Sequence, residues 1–186
     1  MGRSQHKLDR LWKKFSKINF ILISADVSKL KGVKRIISEI ESQWNHIDLL
    51  INNAGIVSAA PLQDLSDEDI INQININLTG LIIWTKKALP LLLKSNEGGL
   101  MNISSGLGLI AKPFYSVYAT TKAGVKHFSE AMRRELVFEN IHVMTFYPTA
   151  TDIDMMTSAK VKQMDSAELV AKKSIEGLLN KKIDII

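Results

Sequence analysis

Four short apolar runs, each too brief for a helix, set the frame into which the rest of this chain must fold. They are Phe20-Ile21-Leu22-Ile23 within Ile18 to Ala25, then Ile47 to Ile51, Leu100 to Ile103, and Ile141 to Phe146. Near-continuous apolarity over four to six residues marks a strand buried on both faces, as in a parallel sheet covered by helices. Amphipathic helical patterns separate the runs: about Gln5 to Phe15, a stretch carrying Val33, Ile36, Ile37 and Ile40, Ser66 to about Lys94, and Val117 to about Glu139. Ser166 to Leu179 is a last helix, and Ile183 to Ile186 a strand barely begun. Strand and helix in alternation predict an α/β fold. With 186 residues, 46% of them hydrophobic, residues 1–186 are sized for a single domain with one core.

Chemistry-bearing residues gather where these strands end. Leu100 to Ile103 stops at Ser104-Ser105, a Gly and Pro punctuated loop follows, and the next helix carries Tyr118 and Lys122, four apart on one face. Ser105 lies thirteen residues before Tyr118, a spacing that lets a hydroxyl at a strand end face the first turn of the following helix. An ammonium beside a phenol favours the phenolate. Bringing a tyrosine from its usual pKa of about 10 to near neutrality takes about 3 units, or about 4 kcal/mol. The competing reading of Tyr118 and Lys122 is a half-exposed helical pair. Asp26-Val27 closes the first run, where the carboxylate can accept from an adenine amino group and Val27 can pack on the ring; the alternative is a helix cap at Asp26 or Ser28. Asn52-Asn53-Ala54-Gly55 stands past the second strand, at the carboxyl end where open parallel sheets bind ligands, or serves as a polar turn. Asn77 interrupts a long helix opened by Ser66 and Asp69, and Pro90 bends it further. Gly106 to Ala111 superficially fits a phosphate-loop pattern, but Lys112-Pro113 forbids the helix such a loop needs. Those residues, with Phe114, Tyr115, Met155 and Met156, are expected to wall a substrate pocket.

Taken in order, Asp26-Val27, Asn52-Asn53-Ala54-Gly55, Asn77-Leu78-Thr79-Gly80, Asn102-Ile103-Ser104-Ser105 and Tyr118-x-x-x-Lys122 resemble the short-chain dehydrogenase/reductase family over nearly the whole chain. The resemblance implies a Rossmann-like doubly wound parallel sheet with helices on both faces, and hydride transfer between NADP (or NAD) and a small-molecule carbonyl or secondary alcohol. It assigns catalysis to Asn77, Ser105, Tyr118 and Lys122. Cofactor contacts fall on Asp26, Val27, Asn53, Ala54, Gly55, Tyr118 and Lys122, with Pro148 and Thr151 on the nicotinamide side, although Thr149 stands where the family usually has glycine. Arg3 falls where NADP-preferring relatives hold the ribose phosphate. The family's first β-α-β unit, with its glycine-rich cofactor loop, has no match here. A fragment is therefore expected, with a hole in the sheet between Phe20-Ile21-Leu22-Ile23 and Ile47 to Ile51. The alternative is a non-catalytic module of the same fold with impaired cofactor binding. A homodimer or homotetramer of the complete protein is implied by resemblance alone.

Composition narrows the rest. Residues 1–35 carry ten Lys/Arg against two Asp/Glu, and the remainder fourteen against seventeen. Leu8, Leu11, Trp12 and Phe15 form a stripe whose wet side holds Lys7, Lys13, Lys14 and Lys17, so a solvated helix face is favoured over nucleic-acid binding. With no cysteine, disulfides and thiolate metal sites are excluded. The four histidines lack ligand spacing. No stretch reads as a signal peptide or membrane span, which predicts a cytoplasmic protein without membrane or nucleic-acid partners.

Overall fold

The polar punctuation of the sequence sets where its helices start in the computed structural model, which describes residues 2, 4–15, 20–152 and 164–186. Ser4 accepts from the Lys7 amide and opens α1 (Gln5–Lys14). Next come α2 (Leu30–Trp44), closed by Asn45 in the left-handed region, and β1 (Leu49–Asn52). The Ser66 hydroxyl accepts from the Asp69 amide to start α3 (Asp67–Ile74), and its O–H donates to the Asp69 carboxylate. A five-residue π-helical segment (Asn75–Thr79) joins α3 to α4 (Gly80–Leu92), which runs past Pro90. Then follow β2 (Gly98–Ile103), α5 (Ser116–Glu135), β3 (Ile141–Phe146), β4 (Thr151–Asp152), β5 (Asp165–Ser166), α6 (Ala167–Leu179), capped by Ser166, and β6 (Asp184–Ile185).

The main sheet is parallel throughout, in the order β1-β2-β3-β6; β4 and β5 form a separate pair. Side chains alternate faces along a strand, so successive residues of β2 serve opposite layers. Leu100 and Val143 pack under Met132 and Leu136, with Leu89 of α4 and Phe128 of α5 beside them. Met101, Met144 and Phe146 turn the other way, onto Val170 and Leu178 of α6. Helices thus cover both faces, as expected of a doubly wound sheet. Each fully buried large side chain here contributes about 2–3 kcal/mol of apolar transfer.

One expectation fails. Phe20 to Ala25 is not a strand buried on both faces: its pairing is one parallel bridge, Gly2 to Ser24, and Ile21 is 36% exposed. A strand is made by its neighbours' hydrogen bonds, and Gly2 supplies only one turn of ladder; the segment is held instead by Ile23, Ala25 and Val27 packing against Val33 and Ile36 of α2 and Trp84 of α4. The α1 stripe is buried only in part. Leu8 is enclosed, but Leu11, Trp12 and Phe15 are exposed, with Trp12 edge-on to Phe20 at 5.2 Å between ring centroids. Between the Gly2–Ser24 bridge and β1 lies a cleft of about 500 Å³, where the sequence predicted a break in the sheet.

Candidate active site

β2 and α5 deliver the three central groups. Ser105 follows directly on β2, and its hydroxyl accepts from the Leu107 amide at 3.2 Å, opening a short 3₁₀ turn over Gly106–Gly108. No helix starts there, in line with rejecting a phosphate loop. Ser105 also hydrogen-bonds the Tyr118 phenol, which faces it from the first turn of α5. Lys122, one turn on, is 5% exposed; its Nζ donates to the Ile103 carbonyl at 2.9 Å and lies 5.7 Å from the Tyr118 ring centroid. Serine, tyrosine and lysine therefore meet in one place.

Their electrostatics differ from the expectation that Lys122 depresses the Tyr118 pKa. Burial pushes the Tyr118 phenol up, the Ser105 hydrogen bond pulls it down more weakly, and Tyr115 adds a small upward push. Burial also lowers the Lys122 ammonium to about 8. The geometry gives the reason: Lys122 sits over the ring and bonds a backbone carbonyl instead of the phenol oxygen, and its own charge is costly in a dry site.

Asn77 is buried in the π segment, and its amide is fully engaged. Oδ1 accepts from the Ile56 amide at 2.8 Å, while Nδ2 donates to the Ile56 carbonyl at 2.9 Å and to Thr121 Oγ1 at 3.1 Å. Thr121 in turn donates to the Tyr118 carbonyl at 2.7 Å. Asn77 thus ties the loop after β1 to the α5 turn between Tyr118 and Lys122. One turn earlier, Gln73 accepts from the Ser58 amide at 3.1 Å and pins the same loop. Close approach fixes the rest. A Cβ on Gly55 would stand 3.4 Å from Asn77 Oδ1 and 3.5 Å from Lys122 Nζ; one on Gly108 would stand 2.7 Å from Ser104 Oγ and 2.9 Å from the Lys122 backbone.

Sequence reasoning missed Thr121, Gln73 and Ser104, whose hydroxyl donates to the Lys122 carbonyl at 2.8 Å. The four-residue step from Gln73 to Asn77 was the available signal. It also missed a buried polar chain under the site: Asn52 donates to Asn102 and Thr85, and Asn102 to Ser129. Asp26, Val27, Asn53, Ala54 and Gly55 line one cleft. Asp26 Oδ1 accepts from the amide and hydroxyl of Ser28, which makes a turn, while the N-cap of α2 is Lys29. The Pro148 carbonyl accepts from the Gly106 amide, which holds it beside the Ser105 loop; Thr151 is buried and its hydroxyl donates to the Thr149 carbonyl. In the expected pocket wall, Leu109, Ile110 and Phe114 are exposed, the last at φ 70°. Arg3, Met155 and Met156 lie outside the described residues.

A parallel doubly wound sheet with serine, tyrosine and lysine converging past its second strand defines a class, and the chain belongs to the short chain dehydrogenase family, whose model matches residues 1–164. It is 35% identical over 141 residues to the 3-oxoacyl-[acyl-carrier-protein] reductase FabG of Chlamydia trachomatis, covering 76% of this chain and 56% of that protein. It is 30% identical over 132 residues to the NADP-dependent 3-hydroxy acid dehydrogenase of Schizosaccharomyces pombe, covering 70% and 51%. The chain thus spans about half the length of these curated relatives. Among solved structures it superposes on a short-chain dehydrogenase from Sphingobium yanoikuyae in complex with NADPH (TM-score 0.90, 23% identity, 99% of this chain and 75% of that one). It also superposes on the serine dehydrogenase of Escherichia coli (TM-score 0.74, 31% identity, 80% and 69%). Among the described residues, no helix is long and apolar enough to cross a membrane.

Proposed function

We propose that this chain carries the catalytic half of an NADP(H)-dependent oxidoreductase that interconverts a carbonyl and a secondary alcohol. The observation that carries the proposal is the Ser105–Tyr118 hydrogen bond with Lys122 on the same side of α5. The named relatives act on a 3-oxo or a 3-hydroxy acid, so a 3-oxoacyl compound and its 3-hydroxy counterpart are the first substrates to try.

The residues present fit a dinucleotide along one side. Asp26 and Val27 would take its adenine, and Asn53, Ala54 and Gly55 its ribose, since all five line one cleft and Gly55, lacking a side chain, lies close against Asn77 and Lys122. Lys122, Pro148 and Thr151 would lie toward the nicotinamide. The chemistry required of the bound nicotinamide is hydride exchange with the substrate carbon. Ser105 and Tyr118 would hold the substrate oxygen between two hydroxyls. Burial raises the Tyr118 phenol above its ordinary value, so it keeps its proton and is ready to donate to an oxygen that gains charge. Lys122, near 8, can resupply a proton at the same pH. Asn77 acts through position, holding the Ile56 loop against the Tyr118 turn. A non-catalytic module is disfavoured, because the three groups remain assembled. NADPH consumption with a 3-oxoacyl thioester tests the proposal. Ser105→Ala should lower kcat about 100-fold; unchanged turnover would remove Ser105 from the site.

A further inference from the structure

The loop after β1 is held at three points from one helical face. Asp69, Gln73 and Asn77 follow at four-residue steps through α3 and the π segment. Asn77 bonds Ile56; the other two bond Ser58, with Gln73 Oε1 accepting from its amide at 3.1 Å and Asp69 Oδ1 from its hydroxyl at 3.2 Å. Gln73 is fully buried, yet its Nε2 has no hydrogen-bond partner among the described residues. A buried donor without an acceptor costs free energy, and an apolar side chain of the same size would spare that cost and lose only the hold on Ser58. Two residues beyond Ser58, the Ala60 amide donates to the Phe114 carbonyl at 3.0 Å. Phe114 stands at φ 70°, a left-handed conformation that a bulky aromatic residue rarely adopts, and its side chain is exposed. It immediately precedes Tyr115, the N-cap of α5, so its backbone turn sets the entry to the helix that carries Tyr118. Leu109 and Ile110, just past the Ser105 turn, are exposed as well.

We propose that Gln73 is a positioning residue for substrate choice: through Ser58 and Ala60 it keeps Phe114 in its left-handed turn, where Phe114 joins Leu109 and Ile110 in an apolar lip for the acyl tail of the substrate. The inference rests on the redox reading for the class of substrate, and goes beyond it in assigning the tail and the device that selects its length. A strained backbone persists only where surrounding contacts over-determine it. The Ala60 bond is such a contact, and it is only as firm as the loop that presents the amide. Asp69 and Gln73 supply that firmness by fixing both the hydroxyl and the amide of Ser58. Apolar side chains open to solvent gain by covering hydrocarbon, so a long tail profits from the lip while a short one does not reach it. Gln73 touches none of the reacting groups; it acts through the loop.

The test is calorimetric binding of the 3-oxobutanoyl and 3-oxodecanoyl thioesters of N-acetylcysteamine to the 186-residue chain, run beside NADPH consumption. The wild-type chain should bind the longer thioester about tenfold more tightly, the worth of about two buried methylenes. Gln73→Met, of similar length but without the acceptor, should reduce that preference to about twofold, with affinity for the short thioester held. It should also speed hydrogen exchange at the Ser58 and Ala60 amides and leave Ile56, which Asn77 holds, unchanged. Phe114→Ala should remove the preference, and adding Gln73→Met to it should change nothing further, since both act through one ring. Ser58→Ala, a milder release of the same loop, should lower the preference in the same direction and serves where Gln73→Met does not fold. Equal wild-type affinity for the two thioesters overturns the proposal whether or not NADPH is consumed. So does a Gln73→Met chain that keeps the full preference, or an effect of Gln73→Met that persists with Phe114 already replaced. Unequal binding without NADPH consumption supports the lip and counts against the redox reading instead.

Discussion

Replacing Lys122 with methionine should abolish a specific part of the pH dependence of stability. In the folded chain this ammonium is 5% exposed and burial lowers its pKa from 10.5 to about 8. Below pH 8 both folded and unfolded chains hold the proton, so the group adds no slope. Between 8 and 10.5 the unfolded chain holds a proton that the folded one has released, and stability rises with pH. A shift of that size integrates to about 3 kcal/mol over the whole interval at about 1.4 kcal/mol per unit. The clean window is pH 8 to 10, because Tyr118 and Tyr147 have raised folded pKa values, the latter to about 12, and lower the stability once pH passes 10. Urea unfolding at pH 7, 8, 9 and 10 should therefore show the wild-type chain gaining about 2 kcal/mol over Lys122→Met across that window. Both proteins carry every other titrating group, so those slopes cancel in the difference. Parallel curves for the two would mean that Lys122 keeps its proton as readily folded as unfolded, and would refute the dry, carbonyl-bonded placement.

Other perturbations follow from the same geometry. Asn77→Ala strands the Ile56 amide and carbonyl and should destabilise by about 3 kcal/mol in urea unfolding, with faster exchange at the Ile56 amide. Gly108→Ala drives a methyl into the Ser104 hydroxyl and the Lys122 backbone and should cost about 2 kcal/mol, read as a lowered Tm. Tyrosine NMR titration should place the Tyr118 phenol above the ordinary tyrosine value, and Ser105→Ala should raise it further, because the serine hydrogen bond is what pulls it down.

The parallel sheet was legible because its strands announce themselves by apolar content: Leu100 to Ile103 and Ile141 to Phe146 became β2 and β3 with both faces buried. Phe20 to Ile23 carries the same pattern and is not a strand, since apolarity predicts burial and a strand also needs a bonded neighbour along its length. The meeting of Tyr118 and Lys122 followed from their four-residue step on one helix, and the thirteen residues back to Ser105 let the strand-end hydroxyl face that turn. Their protonation did not follow. Proximity in sequence suggested that the lysine charge would act on the phenol, whereas desolvation decides both pKa values, and burial depth is a tertiary property. Asn77 was found as a helix interruption, but its hold on Ile56 and Thr121 spans 21 and 44 residues and could not be read locally.

Turnover of a 3-oxoacyl thioester with NADPH by Tyr118→Phe tests the central claim most directly. That substitution keeps the ring under Lys122 and removes the hydroxyl that Ser105 bonds. The account predicts a kcat at least 100-fold below wild type with NADPH affinity little changed; a variant that turns over at the wild-type rate would contradict it.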